Sequence, residues 1–253
     1  MKLYCVQLDI TWENKRANFA RVQSLLSAAA PRPDSLVLLP EMFATGFSMN
    51  VARVQEGPER ETELFLSATA KELRVFLLGG LVHPAAEGKG LNQAVVFSPA
   101  GKEIARYSKL QPFTLGGEAD HYEAGREVVV FPWQSFTVSP FVCYDLRFPE
   151  HFRKAARSGA QLITVIANWP IQRIQHWVTL LQARAVENQA YVAGVNRCGV
   201  DPALEYNGRS LIVSPRGDIL ADAGHGQSVV SAELDLAELM AYRKELPFLA
   251  DMR

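Results

Sequence analysis

Three segments of the chain share one feature, a reactive side chain where an apolar run ends. Leu36-Val37-Leu38-Leu39-Pro40-Glu41 ends in a carboxylate, Ile104-Ala105-Arg106-Tyr107-Ser108-Lys109 in an ammonium, and Ser139-Pro140-Phe141-Val142-Cys143 in a thiol. Catalytic groups of α/β proteins often sit where strands leave a sheet, on backbone that the sheet holds rigid. Taken singly, each residue has an ordinary explanation. Glu41 reads as a helix cap or surface acid, Lys109 as a solvated lysine and Cys143 as a small buried hydrophobe. Taken together they are a nucleophile, a proton acceptor and a cation, the parts of covalent catalysis. A thiol near neutral pH is mostly protonated, so Cys143 needs a base or a nearby cation. Lys109 beside it is expected to shift the site toward thiolate.

The other candidates have plainer readings. The five histidines, His83, His121, His151, His176 and His225, show no metal-ligand spacing, and no nucleotide-binding glycine motif is present. No metal and no cofactor is therefore expected. Cys5 and Cys198 read as buried thiols. A papain-like Cys–His pair lacks its local signature around the nucleophile.

The elements that must position these groups alternate between strand and helix. Residues 2–8 read as a strand, and Asn14 to Ala30 as an amphipathic helix stopped by Pro31 and Pro33. Ser35–Leu39 is a continuous apolar run, as in a strand buried on both faces. A helix over 59–72 and strands over 74–82 and 91–97 follow, around a turn at 86–90. The second half repeats the grammar: strands at 127–131 and 136–142, a helix at 149–158, a strand at 162–166, a helix at 174–189 and a strand at 191–196. Strands at 209–213, 218–222 and 228–234 and a helix near 235–245 complete it.

Val96-Phe97-Ser98-Pro99-Ala100-Gly101 resembles Ile212-Val213-Ser214-Pro215-Arg216-Gly217. Proline presets the turn and glycine permits positive φ, so both read as β-hairpins in a pseudo-symmetric α/β fold.

Composition narrows the class. The chain has 253 residues, 48% hydrophobic and 21% charged, with 26 basic and 27 acidic side chains giving −1. It suits a single domain over 1–253. Near-neutral charge offers no footprint for nucleic acid or an anionic membrane. No apolar run approaches the ~20 residues that span a bilayer, and Asp9 interrupts the N-terminus before any leader-like stretch. Three scattered cysteines argue for a reducing, cytoplasmic location.

Across nearly its whole length the sequence resembles the nitrilase (carbon–nitrogen hydrolase) superfamily. Leu39-Pro40-Glu41-Met42-Phe43 resembles that family's glutamate segment. Arg106-Tyr107-Ser108-Lys109-Leu110 resembles its lysine segment, with the strand Asn92–Val96 upstream. The run from Val142-Cys143-Tyr144-Asp145-Leu146-Arg147 to Glu150 resembles its cysteine elbow. Gln182–Val192, Asn196–Gly199 and Gly208–Ser210 follow in the family's order. The resemblance implies a four-layer αββα sandwich with pseudo-symmetric halves and a homodimer or larger assembly. It assigns the base and acid role to Glu41, the nucleophile to Cys143, and the oxyanion to Lys109 with the backbone N–H of Tyr144. A second glutamate beside the lysine is common in the family. Glu118, seven residues before Gly125, fits that position, with Glu123 its competitor.

The Trp-Glu pair that follows the cysteine in nitrile hydrolysers is absent, which points to an amidase. Glu41–Met49 and Ala167–Arg173 resemble the bacterial ω-amidase branch, which acts on 2-oxoglutaramate or 2-oxosuccinamate. Such a substrate carries a carboxylate, which a guanidinium binds in a bidentate fork. Arg173 is the expected clamp at the pocket mouth, with Phe43, Tyr144 and Trp169 walling an apolar slot. Arg147 is expected to be structural, pairing with an acid near the elbow, and is the alternative carboxylate ligand. Deaminated glutathione and N-carbamoyl compounds are the alternative substrates. A silent interaction module on the same fold has no need of all three reactive groups.

Overall fold

The computed structural model describes residues 1–252. The first half runs β1 (Lys2–Gln7), α1 (Lys15–Ala29), β2 (Leu36–Leu38), α2 (Val51–Val54), α3 (Glu61–Leu73), β3 (Phe76–Pro84), β4 (Gly90–Phe97), β5 (Glu103–Ser108) and α4 (Glu118–His121). The second half runs β6 (Phe131–Trp133), β7 (Phe136–Val142), α5 (Pro149–Arg157), β8 (Leu162–Ala167), α6 (Ile174–Asn188) and β9 (Tyr191–Asn196). It continues through β10 (Cys198–Val200), β11 (Glu205–Asn207), β12 (Leu211–Val213), β13 (Ile219–Asp222), β14 (Ser228–Glu233) and α7 (Leu236–Glu245).

Two six-stranded sheets form, in the orders β14-β1-β2-β3-β4-β5 and β6-β7-β8-β9-β12-β13. Each holds a parallel trio, β1-β2-β3 or β7-β8-β9, with one antiparallel strand on one side and an antiparallel hairpin on the other. The two related turns share their hydrogen bonding. In both, the glycine N–H donates to the serine carbonyl, Gly101 to Ser98 at 2.8 Å and Gly217 to Ser214 at 2.9 Å. Both glycines take positive φ, +73° and +94°, the conformation their lack of a Cβ makes accessible.

The period-2 pattern of buried strands explains the layering. In β1, Leu3 and Cys5 face the core between the sheets. Tyr4 and Val6 face outward, packed with Val22 and Leu26 of α1 and Leu66 and Ala70 of α3. On the far side, Trp177, Leu181 and Ala185 of α6 cover the second sheet. The result is the four-layer αββα sandwich. Helix α1 starts where Asn14 accepts from the Ala17 N–H, and ends where Ala30 turns left-handed before Pro31.

The structure departs from expectation at β6, at the hairpin β10–β11 and at the short helices α2 and α4, which the sequence reading did not include. The strand read over 127–131 is shifted to Phe131–Trp133, where a two-residue turn lets it pair with β7. Val128 and Val129 pack on the core without a ladder partner, so apolar content there does not make a strand. Pro132, which lacks an N–H, is tolerated because β6 is an edge strand. The small hairpin β10–β11 carried no apolar periodicity and went unread.

Candidate active site

Glu41 follows β2 on a turn that only glycine can approach. A Cβ on Gly80 of β3 would lie 2.6 Å from the Glu41 Cα and 2.5 Å from the Met42 nitrogen. The Glu41 side chain is fully buried. Its Oε1 accepts from Asn92 Nδ2 at 2.7 Å and Lys109 Nζ at 3.1 Å. Its Oε2 accepts from the Asn168 backbone N–H at 2.8 Å and from Asn168 Nδ2 at 3.2 Å. Lys109 extends the β4–β5 ladder, its N–H donating to the Asn92 carbonyl. Its ammonium reaches the two oxygens of Glu118 at 3.0 and 2.8 Å. Glu118, the first residue of α4, also accepts from Asn92 Nδ2 at 2.9 Å and the Phe113 N–H at 2.6 Å. Glu123 makes no bond to Lys109 and lines a separate surface pocket with Arg106 and Arg126. Three charges are thus held out of water, a state that stands only with every partner in place. Removing one partner of such a cluster costs about 3–5 kcal/mol.

Cys143 follows β7 directly and opens a 3₁₀ turn, Cys143–Arg147, with a left-handed φ of 45°. A non-glycine residue held there signals a backbone constrained by its surroundings. The constraint is visible in Asp145, whose buried carboxylate accepts from the Val142 N–H at 2.9 Å, the Tyr107 hydroxyl at 2.7 Å and the Gln111 N–H at 2.9 Å. The Cys143 sulfur approaches the Asn168 carbonyl at 3.9 Å. Asn168 therefore touches both Cys143 and Glu41.

Electrostatics at the thiol differ from expectation. Burial and the Glu41 carboxylate push the Cys143 thiol well above its ordinary value. Lys109 pulls it down, but Glu118 adds to the rise. Burial is the largest cause, and one ammonium faces two carboxylates, so the balance runs toward the thiol and away from the thiolate that Lys109 alone would favour. For Lys109, burial pulls the pKa down, yet Glu118 and Glu41 outweigh it and hold the group charged. Burial pushes the Asp145 carboxyl up to about 6, against its three donors.

Cys143 lines a pocket of about 40 Å³. Phe47, Phe113 and Tyr144 form one part of its wall, and Trp169, Pro170, Leu204 and Tyr206 another. Its charged lining consists of Arg147 and Arg173, and neither forms an ion pair with a carboxylate among the described residues. The Arg147 guanidinium lies 4.8 Å over the Trp169 ring, and that of Arg173 lies 5.5 Å over Phe113. Arg147 is thus not paired with an acid near the elbow, because the nearby acid, Asp145, is saturated by other donors.

Phe43 does not wall the slot. It is fully buried against the stacked pair Phe19 and Phe65 under α1 and α3, on the outer face of the first sheet. Phe47, four residues on, takes that place, its ring 5.2 Å from the Lys109 ammonium. Its loop is fastened through Ser48, which donates to Glu13 at 2.6 Å and accepts from the Tyr122 hydroxyl. Sequence reasoning gave no role to Asn92, Asp145 or Asn168. Asn92 is a polar side chain inside a buried strand, which demands partners. Asn168 ends an apolar run, the same signal that exposed Glu41. Tyr206 and Leu204 carried no signal. Cys5 and Cys198 are buried, and burial pushes the Cys198 thiol up to about 11. Among the described residues no cluster of three or more His, Cys, Asp or Glu side chains could hold a metal ion, and no helix is long and apolar enough to cross a membrane.

Comparison with known proteins places this geometry. Residues 2–244 match the carbon–nitrogen hydrolase family model. The omega-amidase YafV of Yersinia enterocolitica is 40% identical, over 99% of this chain and 96% of that protein. The 2-oxoglutaramate amidase of Bacillus subtilis (strain 168) is 34% identical, over 98% of this chain and 96% of that one. A CN-hydrolase superfamily protein of Xanthomonas campestris, solved with an arsenic adduct in its active site, superposes with a TM-score of 0.92 at 32% identity. That alignment covers 100% of this chain and 97% of the other.

Proposed function

We propose a function on the premise that the chain belongs to the carbon–nitrogen hydrolase family: it is an ω-amidase, hydrolysing the terminal amide of 2-oxoglutaramate or 2-oxosuccinamate to the acid and ammonia. The observation that carries the reading is a thiol lining a small apolar slot whose charged lining is two unpaired guanidiniums. A short amide bearing a carboxylate at its far end matches such a slot in charge.

Cys143 attacks the amide carbon as Glu41 takes the thiol proton. Because the balance at Cys143 runs toward the thiol, this transfer accompanies attack instead of preceding it. Lys109 and the Tyr144 backbone N–H hold the tetrahedral oxyanion. Glu41 returns the proton to the departing nitrogen, ammonia leaves, and a thioester remains on Cys143. Glu41 then takes a proton from water, whose attack releases the acid and restores the thiol. Glu118 keeps Lys109 charged and aimed, and Asn92 and Asn168 fix both carboxylates. Arg173 takes the substrate carboxylate. Tyr144 and Trp169 wall the acyl chain. The whole chain acts as one carbon–nitrogen hydrolase domain, cytoplasmic and assembled as a homodimer or larger homo-oligomer.

Ammonia release from a panel of 2-oxoglutaramate, 2-oxosuccinamate, deaminated glutathione, an N-carbamoyl amino acid and glutamine tests the reading. The 2-oxo acid amides should lead by at least tenfold in kcat/KM. Preference for deaminated glutathione or the carbamoyl compound would assign the site to a related amidase, and silence on all five would remove the enzyme reading.

A further inference from the structure

The pocket holds two arginines where one carboxylate clamp needs one. Arg147 stands on the turn that begins at Cys143, and its guanidinium is fixed from two sides. It lies 4.8 Å over the Trp169 ring, and its Nη1 and Nη2 both sit 3.4 Å from Nδ1 of His176, which accepts in the tautomer protonated on Nε2. Arg173 comes from the separate turn Ile171–Arg173, which Trp169 closes by donating from Nε1 to the Arg173 carbonyl at 2.8 Å. Arg147 is half-buried and has no carboxylate partner among the described residues. A guanidinium that is partly desolvated, stacked and oriented with no carboxylate partner presents free donors to a ligand.

Resting on the ω-amidase reading, we infer that Arg147 reads the 2-oxo group of the substrate while Arg173 reads its carboxylate, so that the pair selects 2-oxo acid amides against their 2-amino counterparts. The order follows from the substrate. Counting from the amide carbon at Cys143, the 2-oxo carbon precedes the carboxylate, so the arginine on the cysteine's own turn meets the 2-oxo oxygen first. That oxygen accepts two N–H bonds from a guanidinium edge. A 2-amino group at the same carbon is an ammonium at neutral pH. It accepts nothing, and it would face two cations already close enough to oppose one another. Burial lowers the Arg147 pKa, and Arg173 lowers it further. Glutamine and asparagine are thereby refused by charge, although their amide ends match those of the substrates. Sites built to bond a substrate polar group reject analogues lacking it strongly.

The test compares 2-oxoglutaramate, glutaramate (the same carboxylate without the 2-oxo group) and glutamine in wild type, Arg147→Met, Arg147→Lys and Arg173→Met, reading ammonia release as kcat/KM. In Arg147→Met, 2-oxoglutaramate should lose at least tenfold more than glutaramate, and the preference over glutamine should narrow by a similar factor. Arg147→Lys keeps the cation, so it should retain rejection of glutamine while losing part of the 2-oxo preference. Arg173→Met should fall equally on 2-oxoglutaramate and glutaramate. Equal losses on those two in both Arg147 variants, with folding confirmed by thermal melts, would overturn the assignment and leave the ω-amidase reading standing. A wild type that ignores 2-oxoglutaramate would remove both.

Discussion

The two halves of the molecule use one sheet grammar for opposite purposes. In the first, strand ends deliver Glu41 and Lys109, and α4 delivers Glu118, all buried and tied to one another. In the second, the equivalent architecture delivers Cys143, Arg147, Asn168, Trp169 and Arg173, which face the pocket. Only Phe47 and Phe113 of the pocket wall come from the first half. The middle strands of the two parallel trios, β2 and β8, lead into Glu41 and Asn168, and those two residues bond to each other across the sandwich. A duplicated fold thus places the three buried charges in one half and the thiol with most of the pocket lining in the other.

Disabling either half should stop turnover, but with different signatures. Cys143→Ala removes the nucleophile and should lower kcat on the order of 10⁴-fold or more, with a melting temperature near wild type. Cys5→Ala and Cys198→Ala should keep activity, since neither thiol reaches the pocket. Glu41→Gln should lower kcat by about 10²–10⁴-fold through lost proton transfer. It also removes one of the charges that raise the thiol pKa, leaving Lys109 less opposed. Its Cys143 should therefore react faster with iodoacetamide at neutral pH than the wild-type residue does. Slower alkylation in Glu41→Gln would show that Glu41 ionises the thiol at rest.

Arg173→Ala probes the recognition side alone. Loss of a charge-assisted carboxylate contact costs about 2–4 kcal/mol, roughly a 30- to 1000-fold fall in kcat/KM. The fall should be confined to amides bearing a carboxylate, with propionamide as the neutral control. Equal falls on charged and neutral amides would make Arg173 a structural residue.

The smallest effect concerns the elbow that joins the halves. Asp145 titrates near 6 in the folded protein, above the ordinary carboxyl value of 3.8. A raised acid favours folding while protonated, so its contribution is full below about pH 4 and is lost as pH rises through about 6. Asp145→Asn should flatten the melting-temperature profile across that window. It also places an amide N–H₂ against donors it cannot accept from, at a cost of about 1–3 kcal/mol and some loss of kcat. An unchanged profile would separate Asp145 from the stability of the elbow.

Much of this was legible in the sequence because each reactive group ends an apolar strand, and strands announce themselves by apolar runs. The paired Ser-Pro-x-Gly turns declared the internal symmetry for the same reason: proline and glycine fix backbone angles locally. What stayed hidden depends on long-range placement. Phe43 and Phe47 are both aromatic residues after Glu41, and only the turn at Met42–Gly46 decides that the first packs under the helices and the second enters the pocket. The upward push on the Cys143 thiol likewise depends on burial and on two carboxylates brought near from distant elements, which spacing along the chain does not reveal. Hairpin β10–β11, which brings Leu204 and Tyr206 to the pocket wall, has too few apolar residues to register.

The most direct measurement is the mass of the enzyme caught during turnover. Wild-type protein mixed with 2-oxoglutaramate and quenched in acid within one turnover should carry the substrate's acyl group on the peptide containing Cys143, with one ammonia released per adduct. Cys143→Ala should show neither the adduct nor the ammonia. An acyl group found on another residue, or wild-type turnover by Cys143→Ala, would contradict thioester catalysis at this site.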